Sequence, residues 1–306
     1  MNPQPPASVK DPIGSAWMVA AALLFTLMNL WVQEAGRRFG FGSGELVFWR
    51  MLFSALVLGA WAVLRKKPLA TPHMRAHLSR SLSGTLAMFG IFYAVVHLPL
   101  GTGVTLSYTS SLFLALFSLL VLKERIRTAD GLLLVSGFGG VVLLLQPSLQ
   151  GGQEWAALAG LGGGALAGWA YMQVRELSLL GEPAWRVVLY FSLVGTLFSA
   201  LWAWLAGWQL PPVQSLPYLA GIGAAALAAQ LAMTHAYRVG RKFTVSALAY
   251  LTVVFSSLAG MFWQGDRIDV MEWMGMAVIV TSGILAAWYG KRPDAAEKQK
   301  DKGTST

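Results

Sequence analysis

The chain has 306 residues, 56% of them hydrophobic and only 12% charged, with a mean hydropathy of +0.56 and a formal net charge of +9. It is too apolar for a water-soluble domain and far longer than a single-span anchor requires, so the composition describes a polytopic membrane protein. The absence of cysteine excludes disulfides, thiolate metal sites and a cysteine nucleophile.

The N-terminal MNPQPPASVKDP holds one Lys, and no small-residue cleavage site follows, so the first apolar run reads as an uncleaved span. A helix rises about 1.5 Å per residue and a hydrocarbon core is about 30 Å thick, so runs of about twenty apolar residues predict membrane-crossing helices. Such runs fall at about Ile13 to Val32, Leu46 to Leu64, Leu78 to His97, Thr102 to Leu122, Gly131 to Gln146 and Trp155 to Val174. Four more follow at about Val187 to Gly207, Leu216 to Tyr237, Phe243 to Trp263 and Val270 to Tyr289. The fifth run is short, which favours little tilt or a thin local bilayer. Pro and Gly in the connections, as at His97-Leu98-Pro99-Leu100-Gly101 and Leu210-Pro211-Pro212, are helix-ending chemistry. The segment 290–306 is polar enough to be a disordered tail.

The fourth and ninth runs are copies. TGVTLSYTSSLFLALFSLLVLKERI from Thr102 returns 142 residues later as TVSALAYLTVVFSSLAGMFWQGDRI, sharing Thr102/Thr244, Leu106/Leu248, Tyr108/Tyr250, Phe113/Phe255, Arg125/Arg267 and Ile126/Ile268. Trp49-Arg50 and Trp185-Arg186 repeat at a slightly different offset. The chain therefore divides into two five-helix halves, 13–146 and 155–289, and an odd number of crossings inverts the second relative to the first. The expected fold is an all-α membrane protein of ten transmembrane helices in two inverted repeats, an architecture of secondary transporters.

Cytoplasmic loops collect Lys and Arg. With the N-terminus inside, the inner set is Lys10, then Arg65, Lys66, Lys67, Arg75 and Arg80, then Lys123, Arg125 and Arg127, then Arg175 and Arg186. It continues with Arg238, Arg241 and Lys242, and then Lys291, Arg292, Lys298, Lys300 and Lys302. Outside stand Arg37, Arg38 and Arg267, and Arg50 lies within a span. Both termini are expected in the cytoplasm of a bacterial-type inner membrane. The basic balance is an orientation signal rather than a nucleic-acid footprint.

The stretches FTLMNLWVQEA, ELVFWRMLFSALVL, RSLSGTLAMFGIFYAVVHLPLGTGVTLSYTSSLF with KERI, EPAWRVVLYFSLVGTLFSALW, QLAMTHAYRVG and YLTVVFSSLAGMFWQGDRI resemble the drug/metabolite transporter superfamily, in its ten-span EamA-type members. The likeness runs from about Ile13 to Tyr289 and is nearest the branch with carriers of S-adenosylmethionine, riboflavin and opine-type metallophores. It implies transport rather than catalysis. Three positions depart from the family pattern: Gln33 in place of a Lys, Ser110-Ser111 where a Pro often kinks the fourth span, and Ala249-Tyr250 where Glu-Tyr is common.

Ionisable groups inside a membrane are costly and face a cavity or a partner, so Arg50 is the first substrate-binding candidate; the plainer alternative is that it snorkels or pairs with Glu45. Its counterpart Arg186 is a gating candidate or a positive-inside anchor. His235, aligned with Tyr93, offers a proton site or an interhelical hydrogen bond. Tyr108 and Tyr250, with Ser110, supply directional hydrogen bonds without charge. Asn29, Trp169, Tyr171 and Gln230 are further lining candidates, and Glu124 and Asp266 are gate candidates at opposite mouths. Gly160, Gly164 and Gly168 form a close-packing face. No acid lies deep in a span, which disfavours proton exchange for a cationic drug. No HExxH, GxSxG or P-loop is present, so no catalytic residue, metal or cofactor is assigned. The expected function is a secondary transporter, read as an exporter, of a small polar organic metabolite such as an amino-acid-like compound or metallophore. An importer or exchanger of a nucleoside- or vitamin-like solute is the alternative, and a membrane-embedded enzyme a more distant one. The expected partners are the solute and the lipid bilayer, with no nucleic acid and a homodimer left open.

Overall fold

A computed structural model describes residues 13–120, 132, 135–144, 152–208, 210–239 and 248–289. All regular elements among them are helical. In chain order they are α1 (Ile13–Phe39), α2 (Ser43–Leu64), α3 (Met74–His97), α4 (Leu100–Tyr108), α5 (Ser110–Leu120) and α6 (Val135–Leu144). Then come α7 (Glu154–Leu179), α8 (Ala184–Ala206), α9 (Leu216–Val239), α10 (Leu251–Ala259) with a π turn over Gly260–Gln264, and α11 (Val270–Tyr289). Among the described residues five helices are both long and apolar enough to cross a membrane: those over Ala16–Phe39, Ser43–Leu64, Met74–His97, Ala184–Leu205 and Val213–Met233.

Element ends follow local chemistry. Pro99 and Pro183 stand as N-caps immediately before α4 and α8, where a missing N–H costs nothing. Gly207 ends α8 with φ of +93°, a left-handed conformation that a side chain would strain. Several boundaries exceed the hydropathy pattern. Helix α1 continues through Arg37 and Arg38 to Phe39, and α3 begins at Met74 rather than Leu78, because polar turns at a membrane boundary can stay helical while contributing nothing to hydropathy.

The fourth predicted span is interrupted. Ser110-Ser111 in place of a kinking Pro implies an unbroken span, yet the helix breaks without one: α4 ends at Tyr108, Thr109 turns, and α5 begins at Ser110. The Thr109 hydroxyl donates back to the Leu106 carbonyl at 2.6 Å, and Leu112 N–H bonds Thr109 O at 2.9 Å in a tightened three-residue step. Tyr250 marks the same event in the second copy, with Val253 N–H bonding Tyr250 O at 3.0 Å before α10 resumes.

Packing is reciprocal between the two halves. Helix α3 lies along α7 and α1 along α9, the third helix of one half against the first of the other in both cases. Helices α2 and α8 pair with each other, α3 also touches α8, and α2 touches α9. Small residues make these approaches close. Gly163 brings α7 onto the Ala87 and Ile91 backbone of α3, Gly164 and Gly168 bring it onto Leu106, Thr109 and Ser110, and Gly221 seats α9 against Trp31 of α1. One apolar cluster joins α1, α2, α3 and α9 through Val32, Leu46, Met51, Phe92 and Ile222. A second joins α4, α7, α10 and α11 through Leu106, Ala157, Val253 and Ile279.

Candidate functional site

Arg50 lies seven residues into α2, about 10 Å from its start. It neither snorkels nor pairs with Glu45, which instead accepts the Gly42 N–H at 3.0 Å and caps the helix. The residue is 6% exposed. Its Nη1 donates to the Met88 thioether, its Cζ stands 6.0 Å from the centre of the Phe92 ring, and its Nε has no partner.

A second guanidinium shares this region. Arg80 lies six residues into α3 and is 8% exposed, so it is not the solvated cytoplasmic anchor that its place in the chain implies. Its Cζ sits 4.0 Å from the centre of the Phe191 ring of α8, and its head lies over Gly84, where any side chain would meet Nη1. Nε and Nη1 have no partner. Among the described residues no carboxylate comes within 4 Å of either arginine; the ion pairs are Arg37–Asp266, Arg38–Glu34 and Arg186–Glu182, and the His77 ring lies 3.4 Å from Glu182. Ser81 and Thr85 on α3, Ser54 on α2 and Ser192 on α8 are buried hydroxyls on the same three helices. The sequence does contain a signal for Arg80. It is followed by Ser81, Ser83, Gly84 and Thr85, small and polar, rather than by the basic neighbours of a loop anchor.

Tyr171 of α7 is within electrostatic reach of both arginines and is 51% exposed. Successive helical residues turn by about 100°. That places Tyr171 between the arc meeting α3, through Gly163 and Gln173, and the arc meeting α4 and α5, through Gly164 and Gly168. Its exposed face therefore looks into the bundle.

The broken helices meet at the centre. The Tyr108 and Tyr250 rings lie 5.5 Å apart at 43°, bringing the two copies into contact. Ser110, beside the first break, is buried. Thr26 of α1 and Ser256 of α10 share a 3.3 Å hydrogen bond, the buried Thr252 hydroxyl has no partner, and Asn29 is buried on α1.

Polar clamps lie at both ends. At one, Arg37 of α1 donates to Val96 O (3.0 Å) and Leu98 O (3.1 Å) and reaches Asp266 at 3.4 Å. Asp266 also accepts the Leu100 N–H at 2.7 Å, and Gln33 donates to Leu98 O at 2.8 Å. Next to them Thr102 donates to Glu272 at 2.7 Å. At the other end Arg186 donates to Glu182 at 2.9 Å and to Pro68 O at 2.8 Å, Thr71 donates to Glu182, and Tyr190 donates to Leu69 O at 3.0 Å. Burial alone would raise the Glu182 carboxyl, but the hydrogen bonds from Thr71 and Arg186 and the Arg186 charge outweigh it and hold it below the usual carboxylate range. Each clamp joins an element of the first half to one of the second.

The remaining candidates scatter. Tyr93 stacks on His97 with ring centres 4.1 Å apart. Trp169 meets Phe117 edge-on at 5.6 Å, on a different side of α7 from Tyr171. His235 is exposed at the far end of α9, edge-on to Trp17 at 5.1 Å, and Gln230 is half-buried one turn earlier. Glu124 and the predicted tail 290–306 lie outside the described residues.

The profile of the EamA-like transporter family matches twice, over residues 12–146 and 154–288. The chain belongs to this family. The chain is 27% identical over 268 residues to a pseudopaline exporter of Pseudomonas aeruginosa, covering 87% of this chain and 93% of that one. It is 29% identical over 289 residues to a riboflavin transporter of Vibrio cholerae, covering 91% and 94%. It is also 25% identical over 311 residues to human solute carrier family 35 member G1, covering 94% and 83%. A protein crystal structure 20% identical to this chain superposes with a TM-score of 0.63, covering 92% of this chain and 99% of the other. The EamA-family chain is thus a membrane transporter of small solutes and not an enzyme.

Proposed function

We propose that this protein is a secondary carrier exporting a small polar organic metabolite with an anionic group, such as an amino-acid-like compound or a metallophore, across a bacterial cytoplasmic membrane. The observation that carries the reading is Arg50, a buried guanidinium deep in α2 whose Nε has no partner. A charge held there at such cost is best explained by a ligand that meets it, and a guanidinium grips a carboxylate through paired hydrogen bonds. The exporter among its relatives supports the outward direction.

In this reading the chain crosses the membrane ten times with both termini inside, and 13–146 and 155–289 are inverted halves rocking about the site. The interrupted helices at Thr109 and Tyr250 support it, since breaks at related points of two repeats mark the midplane site of such carriers. Tyr108 and Tyr250 orient the solute, and the Asp266 and Glu182–Arg186 clusters close the two mouths in turn. A second reading, carriage of a flat vitamin-like solute, is favoured by the Tyr108–Tyr250 platform and by the riboflavin transporter among the relatives.

Small-molecule profiles of medium and cells with and without the protein supply the candidate solute. In liposomes Arg50→Gln is then expected to abolish its saturable flux while the protein still inserts. Unchanged flux removes Arg50 from the site, and riboflavin flux insensitive to Arg50 selects the second reading.

A further inference from the structure

We propose that Arg50 and Arg80 form a two-pole anion site selecting an organic solute with two anionic groups about one helical turn apart, Arg80 holding the second group. The inference rests on the carrier reading above and goes beyond it by naming the charge pattern of the solute.

The argument begins with one stripe of α3. Arg80, Gly84, Met88 and Phe92 recur every four residues and so share a face. Arg80 lies up this stripe with its head over Gly84, and Arg50 comes across from α2 onto Met88 and Phe92. The residues these two heads rest on, Gly84 and Met88, are one helical turn apart, a rise of roughly 6 Å along α3. The two guanidiniums are close enough to repel each other.

Two like charges at this spacing, buried and without a carboxylate in contact, destabilise the empty protein. The Phe191 ring and the Met88 thioether orient the heads, but neither neutralises charge. A monoanion meets one pole and leaves the other unpaired. A dianion of matching length relieves both burials and the repulsion together. Tyr171, half-exposed and within electrostatic reach of both poles, is a neutral hydroxyl beside them. Arg80 belongs to the solute rather than to the membrane surface because its Nε and Nη1 are buried without partners and no carboxylate touches it, whereas Arg186, near the same end, has its charge met by Glu182 and its other terminal nitrogen by Pro68 O, leaving only Nε without a partner.

The test uses the full-length protein in detergent and in liposomes, with unbranched dicarboxylates from succinate to pimelate and monocarboxylates of equal length as probes. Ligand-induced thermal stabilisation gives half-saturation concentrations, and counterflow reads transport. One dicarboxylate length is expected to bind tighter than its monocarboxylate by roughly tenfold or more, the value of one charge-assisted bond. In Arg80→Gln this ratio falls toward one, and in Arg80→Lys part of it returns. Gly84→Ala, which keeps the charge but displaces the head, also lowers the ratio. Arg50→Gln removes binding of both ligand types. Equal binding of both types by the native protein, or an Arg80→Gln effect that weakens both alike, overturns the two-pole site while Arg50 keeps its role. Carboxylate binding that survives Arg50→Gln overturns the carrier reading itself.

Discussion

Arg186 and Arg80 are both basic residues in the first turns of their helices, α8 and α3, and their partners separate them. Arg186 is engaged by Glu182 at 2.9 Å, and Glu182 is also held by Thr71, so this set is a closed electrostatic unit tying the α2–α3 connection to α8. Because the folded carboxyl of Glu182 lies below its unfolded value, its contribution to stability is complete above the unfolded value and is lost as pH falls through the folded one. Acidification from neutrality through the carboxylate range is therefore expected to loosen this end. Glu182→Gln should cost about 2 kcal/mol at neutral pH and remove most of that acid sensitivity. Thermal unfolding of native and Glu182→Gln protein across pH measures both; an acid transition of equal size in the two assigns it elsewhere. Arg50 was legible in the sequence because an arginine inside an apolar run is conspicuous. Arg80 left only a faint signal, the small polar residues that follow it, because it stands near the end of its run, where depth suggests a surface anchor, and its burial depends on which way it points around the helix axis.

At the scale of elements, the glycine face of α7 was readable from spacing alone, whereas the break at Thr109 was not. Breaks are expected at proline, and here a hydroxyl does the work by returning a hydrogen bond to Leu106 O. The break and the seam depend on each other. A Cβ on Gly164 would sit 2.6 Å from the Leu106 carbonyl oxygen and collide with the Thr109 hydroxyl, so the turn is accommodated because α7 offers bare backbone there. Gly164→Ala is expected to destabilise the protein by about 1–3 kcal/mol and to shift α4 against α7. Gly162→Ala, on an open face with nothing within 4 Å, is the control. It should be neutral or gain up to about 1 kcal/mol from helix propensity. Equal melting of the two variants would show that the seam is slack. The ends of α1 and α3 were misplaced in the sequence for a related reason: hydropathy registers the bilayer, while a helix ends where its backbone bonds end.

At the scale of the whole molecule, the helical, membrane-embedded character and the family were legible, because composition and a copied stretch carry them. What the sequence withheld is how the halves are latched, since both clamps join residues more than a hundred positions apart, as with Thr71 and Glu182 or Arg37 and Asp266. If access alternates, the clamps must act in opposition: weakening one favours the state open at that end and closes the other. Losing a charge-assisted bond of about 1.5–3 kcal/mol shifts such an equilibrium by roughly tenfold or more. The absence of native cysteine makes the shift measurable with a single Asn29→Cys reporter on α1 and a membrane-impermeant maleimide applied from outside. Asp266→Asn, which weakens the hold on Arg37 and Leu100, is expected to raise the labelling rate. Glu182→Gln is expected to lower it. Opposite signs follow only from two clamps competing over one equilibrium, whereas a general loosening of the fold raises labelling in both variants and excludes alternating access through these clusters.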